Sequence, residues 1–300
     1  MNGRSALFAP LLMFATQPVL AEPSNEPGLA PGGARIEAQA HFGVATTPFD
    51  VTTLAEAKGQ AVVLLAAGSY ALSEPLSFEL HIPVVVGSVA QPAGSYIDAA
   101  ALGNPQLGAR YRLMQRRSGE ASLALAGAVD VGLPLASHAE DLMPNRVLAI
   151  ADGVEGRGRP EWFTPGVMPI TASSALRWAS AAWTLETELR LPLFVRVSEA
   201  DLPSATTNTR SIGLAAVASG EARYRLSRRL SLATTAQLFF DIVPSVAHVR
   251  GVSRVQDFER LSLYIHFGSR GALVVDLQTA IAGELGGAMV AGGLRGVVDF

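Results

Sequence analysis

From Arg35 to Phe300 this 300-residue chain places apolar side chains on every second position, segment after segment, and nowhere after residue 21 do 18 apolar residues run together. Period two is the period of a strand. The chain is 49% hydrophobic, yet it has no stretch long enough for a spanning helix. Its apolar faces therefore have two outlets. They meet inside a soluble sandwich, or they face lipid around a closed barrel, the strand arrangement that leaves no backbone group unpaired in hydrocarbon.

The first strand shows the pattern: Ile36, Ala38, Ala40, Phe42 and Val44 share one face, and Glu37, Gln39, His41 and Gly43 the other. Alternating segments of about ten residues are expected of membrane-spanning strands. They are predicted near 35–45, 60–71, 76–86, 103–114, 121–134, 171–180, 184–197, 209–226, 229–242, 258–268, 271–282 and 288–300. The count is twelve, and an even count returns both ends to one side. Connections on that side are short, at 73–75, 115–120, 227–228 and 268–271. Most on the other are longer, with the loop at 283–287 an exception. The longest, from Leu135 to Ile170, carries Arg157-Gly158-Arg159-Pro160-Glu161-Trp162-Phe163 near its middle.

Two internal echoes support this arrangement. Glu79-Leu80-His81-Ile82-Pro83-Val84 is matched by Glu188-Leu189-Arg190-Leu191-Pro192-Leu193, and Ala109-Arg110-Tyr111-Arg112-Leu113 recurs identically at Ala222-Arg223-Tyr224-Arg225-Leu226. An arginine pair follows each second motif, Arg116-Arg117 and Arg228-Arg229, and then a strand with Ser-Leu-Ala. This reads as a three-strand module used twice. Pro83 and Pro192 have no N–H for a ladder, so each belongs at a bulge or near the rim.

The two ends of the chain agree. The last strand alternates and closes on Phe300, which resembles the assembly signal of Gram-negative outer-membrane barrels. Residues 1–21 read as a Sec-type signal peptide, with Arg4, an apolar stretch from Ala6 to Ala15, and Val19-Leu20-Ala21 before a cleavage point. Residues 22–34, rich in proline and glycine, read as a flexible periplasmic lead. The barrel then covers 35–300.

Little in the sequence points to catalysis. Cysteine is absent, and the histidines (His41, His81, His138, His248, His266) are scattered without metal-ligand spacing. His266 lies near Ser269, but their opposite parity places them on different faces of a strand. Gly283 to Gly293 lacks the Lys-Ser/Thr of a phosphate loop. No catalytic, metal or cofactor site is expected, and no cofactor. The formal charge of −3 gives no reason to expect nucleic acid.

The informative residues face away from the apolar side. Glu37, His41, Glu79, His81, Arg110, Arg112, Glu186, Glu188, Arg190, Arg223, Arg225, Asp276, Arg295 and Asp299 are candidates to line a lumen. They form either a hydrated path whose charges tune selectivity or an ion-pair network that closes a narrow barrel. Tyr111 and Tyr224 point outward beside the arginine turns, where aromatic rings suit the headgroup level.

The Glu-Leu-X-Leu/Ile-Pro strand, together with Gly103-Asn104-Pro105-Gln106-Leu107-Gly108-Ala109-Arg110-Tyr111-Arg112-Leu113, resembles the outer-membrane proteins associated with the meta pathway of phenol degradation. Asn104 stands where that family is expected to carry an acidic residue. The resemblance covers most of the chain after the signal and implies passage of small hydrophobic or aromatic compounds, with no catalytic residues. The expected fold is all-β, a transmembrane antiparallel up-and-down barrel of about twelve strands in the outer membrane. Its expected role is that of a passive channel, and its expected partners are outer-membrane lipid, the barrel-assembly machinery and a small-molecule solute. A non-conducting structural or surface-interaction barrel is the competing reading. An outer-membrane lipid-modifying enzyme would need His, Ser and an acid to meet on the outer rim.

Overall fold

Strands fill most of the chain in the computed structural model, which describes residues 31–48, 56–91, 94–136, 142–155, 157–197, 212–243, 255–268, 270–283 and 289–300. They are β1 (Ala34–Pro48), β2 (Glu56–Ala71), β3 (Leu76–Ala90), β4 (Tyr96–Leu102), β5 (Gln106–Ser118), β6 (Ala121–Gly132), β7 (Val167–Ala179), β8 (Trp183–Arg196), β9 (Ile212–Arg225), β10 (Leu230–Val243), β11 (Val255–His266), β12 (Gly271–Gly283) and β13 (Met289–Asp299). Two helices, α1 (Leu142–Val154) and α2 (Pro160–Phe163), lie between β6 and β7.

Every neighbour pairs antiparallel, and β1 pairs with both β2 and β13, which closes the sheet. β4 and β5 both pair with β3, the first along its upper half and the second along its lower half. They are one stave interrupted at Gly103-Asn104-Pro105, so the barrel has twelve staves. At the break, Ile82 and Pro83 oppose three residues, and the Gly103 N–H donates to the Pro83 carbonyl at 2.9 Å. Pro192 has the matching effect, since the β8–β9 ladder has no pair at Leu191 and Pro192. Both prolines sit where a missing N–H is tolerated.

The exterior is apolar. Ile36, Phe42, Leu107, Leu113, Leu261, Leu277 and Leu294 are each more than half exposed, while the residues between them turn inward. Only a hydrocarbon solvent makes that distribution favourable, so the strands span a membrane. The end with both chain ends has tight connections, such as Gly119-Glu120 between β5 and β6, where Gly119 has φ 58°.

Three expectations change. The turn predicted at 115–120 is Gly119-Glu120 alone, because β5 continues through Arg116 and Arg117. The stave predicted from 103 begins at Tyr96, and residues 91–95 connect it to β3. The long connection is not an external loop: α1 lies inside the barrel. Val147, Leu148, Ile150, Ala151 and Val154 are fully buried against Ala45, Ala61, Val63, Val85, Val89, Ala101, Met289 and Ala291 of the inner wall. The signal peptide, most of the lead, His138, His248, Ser269 and residues 209–211 lie outside the described residues.

Candidate functional site in the barrel lumen

The strand period sends the charged residues inward, and the inward segment that carries α1 and α2 covers one end of the space they line. Below it, toward the end with both chain ends, lies a chamber of about 510 Å³, with Glu79, Arg110, Arg112, Arg177 and Glu186 on its wall. A second chamber of about 280 Å³ lies under the inward segment, lined by Gln39, Glu155, Arg159, Trp162, Glu188, Arg190, Glu221 and Arg260. Glu37, His81 and Arg295 line both chambers and mark the junction between them.

Charges are matched both across strands and along one strand. Arg110 Nε donates to Glu79 Oε1 at 2.7 Å, Arg223 Nη2 to Glu221 Oε1 at 2.8 Å, and Arg35 Nε to Asp299 Oδ1 at 2.6 Å. Tyr264 ties one wall together. Its hydroxyl accepts from Arg223 and Arg295, each at 3.1 Å, and donates to Glu221 at 3.2 Å, while the Arg223 guanidinium lies over its ring at 3.9 Å. Arg295 also stands 3.9 Å from Glu37. Arg112 donates to Gln115 and lies 3.8 Å from Glu74. Arg225 pairs in register with Ser231 but lines neither chamber.

His41 and Arg190 point inward and meet the segment, and Asp276 meets His41. The His41 Nδ1 is 2.8 Å from Glu155, which follows α1, and its Nε2 is 3.5 Å from Asp276 of β12. His41 can reach across β13 because Gly293 has no side chain; a Cβ there would overlap the imidazole. Arg190 donates to Glu161 of α2 at 2.8 Å and stands 3.5 Å from Glu188. These residues fasten the inward segment to the wall.

Asn104 fastens it again, from the break in the stave. Fully buried, its Nδ2 donates to the carbonyls of Glu161 at 3.1 Å and Thr164 at 2.8 Å, and its Oδ1 accepts the Ala136 N–H at 2.9 Å. The Trp162 indole donates to Gln106 at 3.0 Å and stands 5.9 Å from the His81 ring. The helix α1 ends when Arg157 takes φ 50° and its N–H bonds the Asp152 carbonyl at 2.8 Å, a left-handed termination. Burial pushes the Asp152 carboxyl up to about 6, with Arg157 opposing it. Burial would likewise raise Glu155, but the His41 charge and hydrogen bond hold it below the usual value.

His266 meets a serine, though not the one nearby in sequence. Its Nε2 is 3.0 Å from the Ser231 Oγ across the β10–β11 ladder. Ser231 is buried and lines neither of the two chambers. Phe300 is exposed at the rim and exchanges backbone hydrogen bonds with Ala34. Arg159, Glu155, Glu161, Asn104, Arg260 and Tyr264 join the site without having been singled out by strand periodicity.

No family model matches the chain, and no curated protein matches it. Solved structures do. An outer membrane channel from Pseudomonas putida F1 aligns over 93% of this chain and 99% of its own, with TM-score 0.61 and 15% identity. The transport unit of the autotransporter AIDA-I from Escherichia coli aligns over 91% of each chain, with TM-score 0.51 and 10% identity. The fold is that of an outer-membrane β-barrel.

Proposed function

We propose that the chain is a passive channel for small molecules across the outer membrane. The observation that carries this reading is the pair of adjoining chambers, whose shared wall bears carboxylates and guanidiniums rather than a packed apolar core. Charged linings of this kind set which solutes enter and how fast they leave. The likeness to a channel fold supports it, and no energy coupling or cofactor is needed for diffusion. Small hydrophobic or aromatic solutes are the favoured cargo. The resemblance of the Glu-Leu-X-Leu/Ile-Pro and Gly103–Leu113 strands supports that choice.

A second reading has one observation in its favour. The five apolar residues of α1 are sealed against the inner wall as tightly as a protein core, as a barrel closed permanently for structural or surface-interaction purposes would require. Planar-bilayer recording of the refolded protein separates the two readings. The channel should pass discrete current steps, and Arg110→Glu with Arg112→Glu, both on the larger chamber, should shift the reversal potential toward cations. A correctly inserted wild-type protein that passes neither ions nor small aromatic solutes would establish the closed barrel.

We also propose that residues 1–21 are removed on export. Mass spectrometry of protein extracted from the envelope should show a chain beginning at Glu22, and an intact Met1 would remove the basis for this export route.

A further inference from the structure

Of the repeated arginine pairs, Arg117 reaches the larger chamber, whereas Arg116, Arg228 and Arg229 line neither chamber. β5 carries Arg116 in the row of Leu123 and Trp178, since Arg116 pairs with Leu123 and Leu123 with Trp178. Residues directly opposite on neighbouring strands share a face, so Arg116 points outward onto the membrane side. Two turns further round the barrel, Trp183 and Tyr224 pack together on the exterior, tilted, with ring centroids 4.8 Å apart, just above the turn that carries Arg228 and Arg229. All three arginines are exposed.

Away from this arc, Arg35 is engaged by Asp299. At its edge Glu74 stands beside Arg112 of β5, and beyond Arg229 the next turn carries the exposed Arg270. Two of the three tryptophans in the chain lie on the arginine arc, and the third, Trp162, is buried in the lumen. In an acidic chain, Arg116, Arg228 and Arg229 stand where indole and phenol rings meet the headgroups. Glu120 is an exposed carboxylate among them. A guanidinium beside an interfacial aromatic ring recognises a phosphodiester through paired hydrogen bonds.

We infer that this arc of the periplasmic rim, from Arg116 to Arg229, is a binding surface for anionic phospholipid headgroups of the inner leaflet. The inference is independent of whether the lumen conducts. Each arginine near a leaflet surface is worth about a fivefold gain in affinity for anionic lipid.

Brominated-lipid quenching tests it on the full refolded barrel, because Trp178 and Trp183 report from the arc itself. Brominated phosphatidylglycerol should quench at least about fivefold more effectively per molecule than brominated phosphatidylcholine in mixed vesicles. Raised salt should weaken the preference, and Arg116→Gln, Arg228→Gln and Arg229→Gln together should bring it close to parity. Equal quenching of the wild type by the two lipids would overturn the proposal without any variant having to fold. A preference that survives the triple substitution would overturn it too, and so would one that inorganic phosphate abolishes while sodium chloride of equal ionic strength only weakens it, since the site would then hold free phosphate.

Discussion

Asn104→Asp should free the inward segment while leaving the barrel wall closed. The substitution replaces one donor group by an oxygen of the same size. It therefore removes the two bonds to the Glu161 and Thr164 carbonyls, at 3.1 and 2.8 Å, and turns a carboxylate toward those same oxygens. Two lost bonds and an uncompensated buried charge are together worth about 2 to 5 kcal/mol of docking. Limited proteolysis of the folded barrel should then cut within 133–166, and current through the lumen should rise. Acidification should partly reverse both effects, because the new carboxyl, once protonated, can donate one bond. Unchanged protection of the segment would show that Asn104 does not hold it.

The second large effect concerns which face meets lipid. Leu125→Arg should cost about 2 to 4 kcal/mol, because Leu125 lies in an exterior apolar furrow with Leu176, Leu189 and Leu238. Ala126→Arg should cost much less. Ala126 lines the larger chamber, where a guanidinium finds water and Glu79 and Glu186 on the same wall. A urea refolding titration that ranks the two the other way would mean the barrel is inside out.

The wall was legible because each stave repeats a short rule, as Ile36, Phe42 and Val44 show on β1. Alternation fixes side and register, which is why Glu37, Glu79, Arg110 and Glu186 come to a chamber wall. It carries no information on depth, so it could not separate Arg110, which meets a chamber, from His41, which meets the inward segment. That segment was missed for a physical reason. Pro144 and the Gly-Arg-Pro run suggest an irregular loop, although Val147, Leu148, Ile150, Ala151 and Val154 recur with helical spacing. Asn104 was visible only as a departure from a resembled pattern. Its amide donates twice, which a carboxylate in that place could not do. The upper half of its stave was missed because Ala99, Ala100 and Ala101 blur the contrast between faces.

The His41 latch has a consequence for the order of folding. It joins the first strand, the middle of the chain and the twelfth strand, with 114 residues between His41 and Glu155 alone, and its reach depends on β13 lying between β1 and β12. The His41–Asp276 contact cannot form while the first and last strands are apart, and contacts between such distant parts of a chain are paid for late. Sealing the cylinder and completing that latch are therefore one step. A barrel caught with its seam open would leave the apolar face of α1 without Met289 and Ala291 of β13, which makes that intermediate more prone to aggregate than the closed barrel.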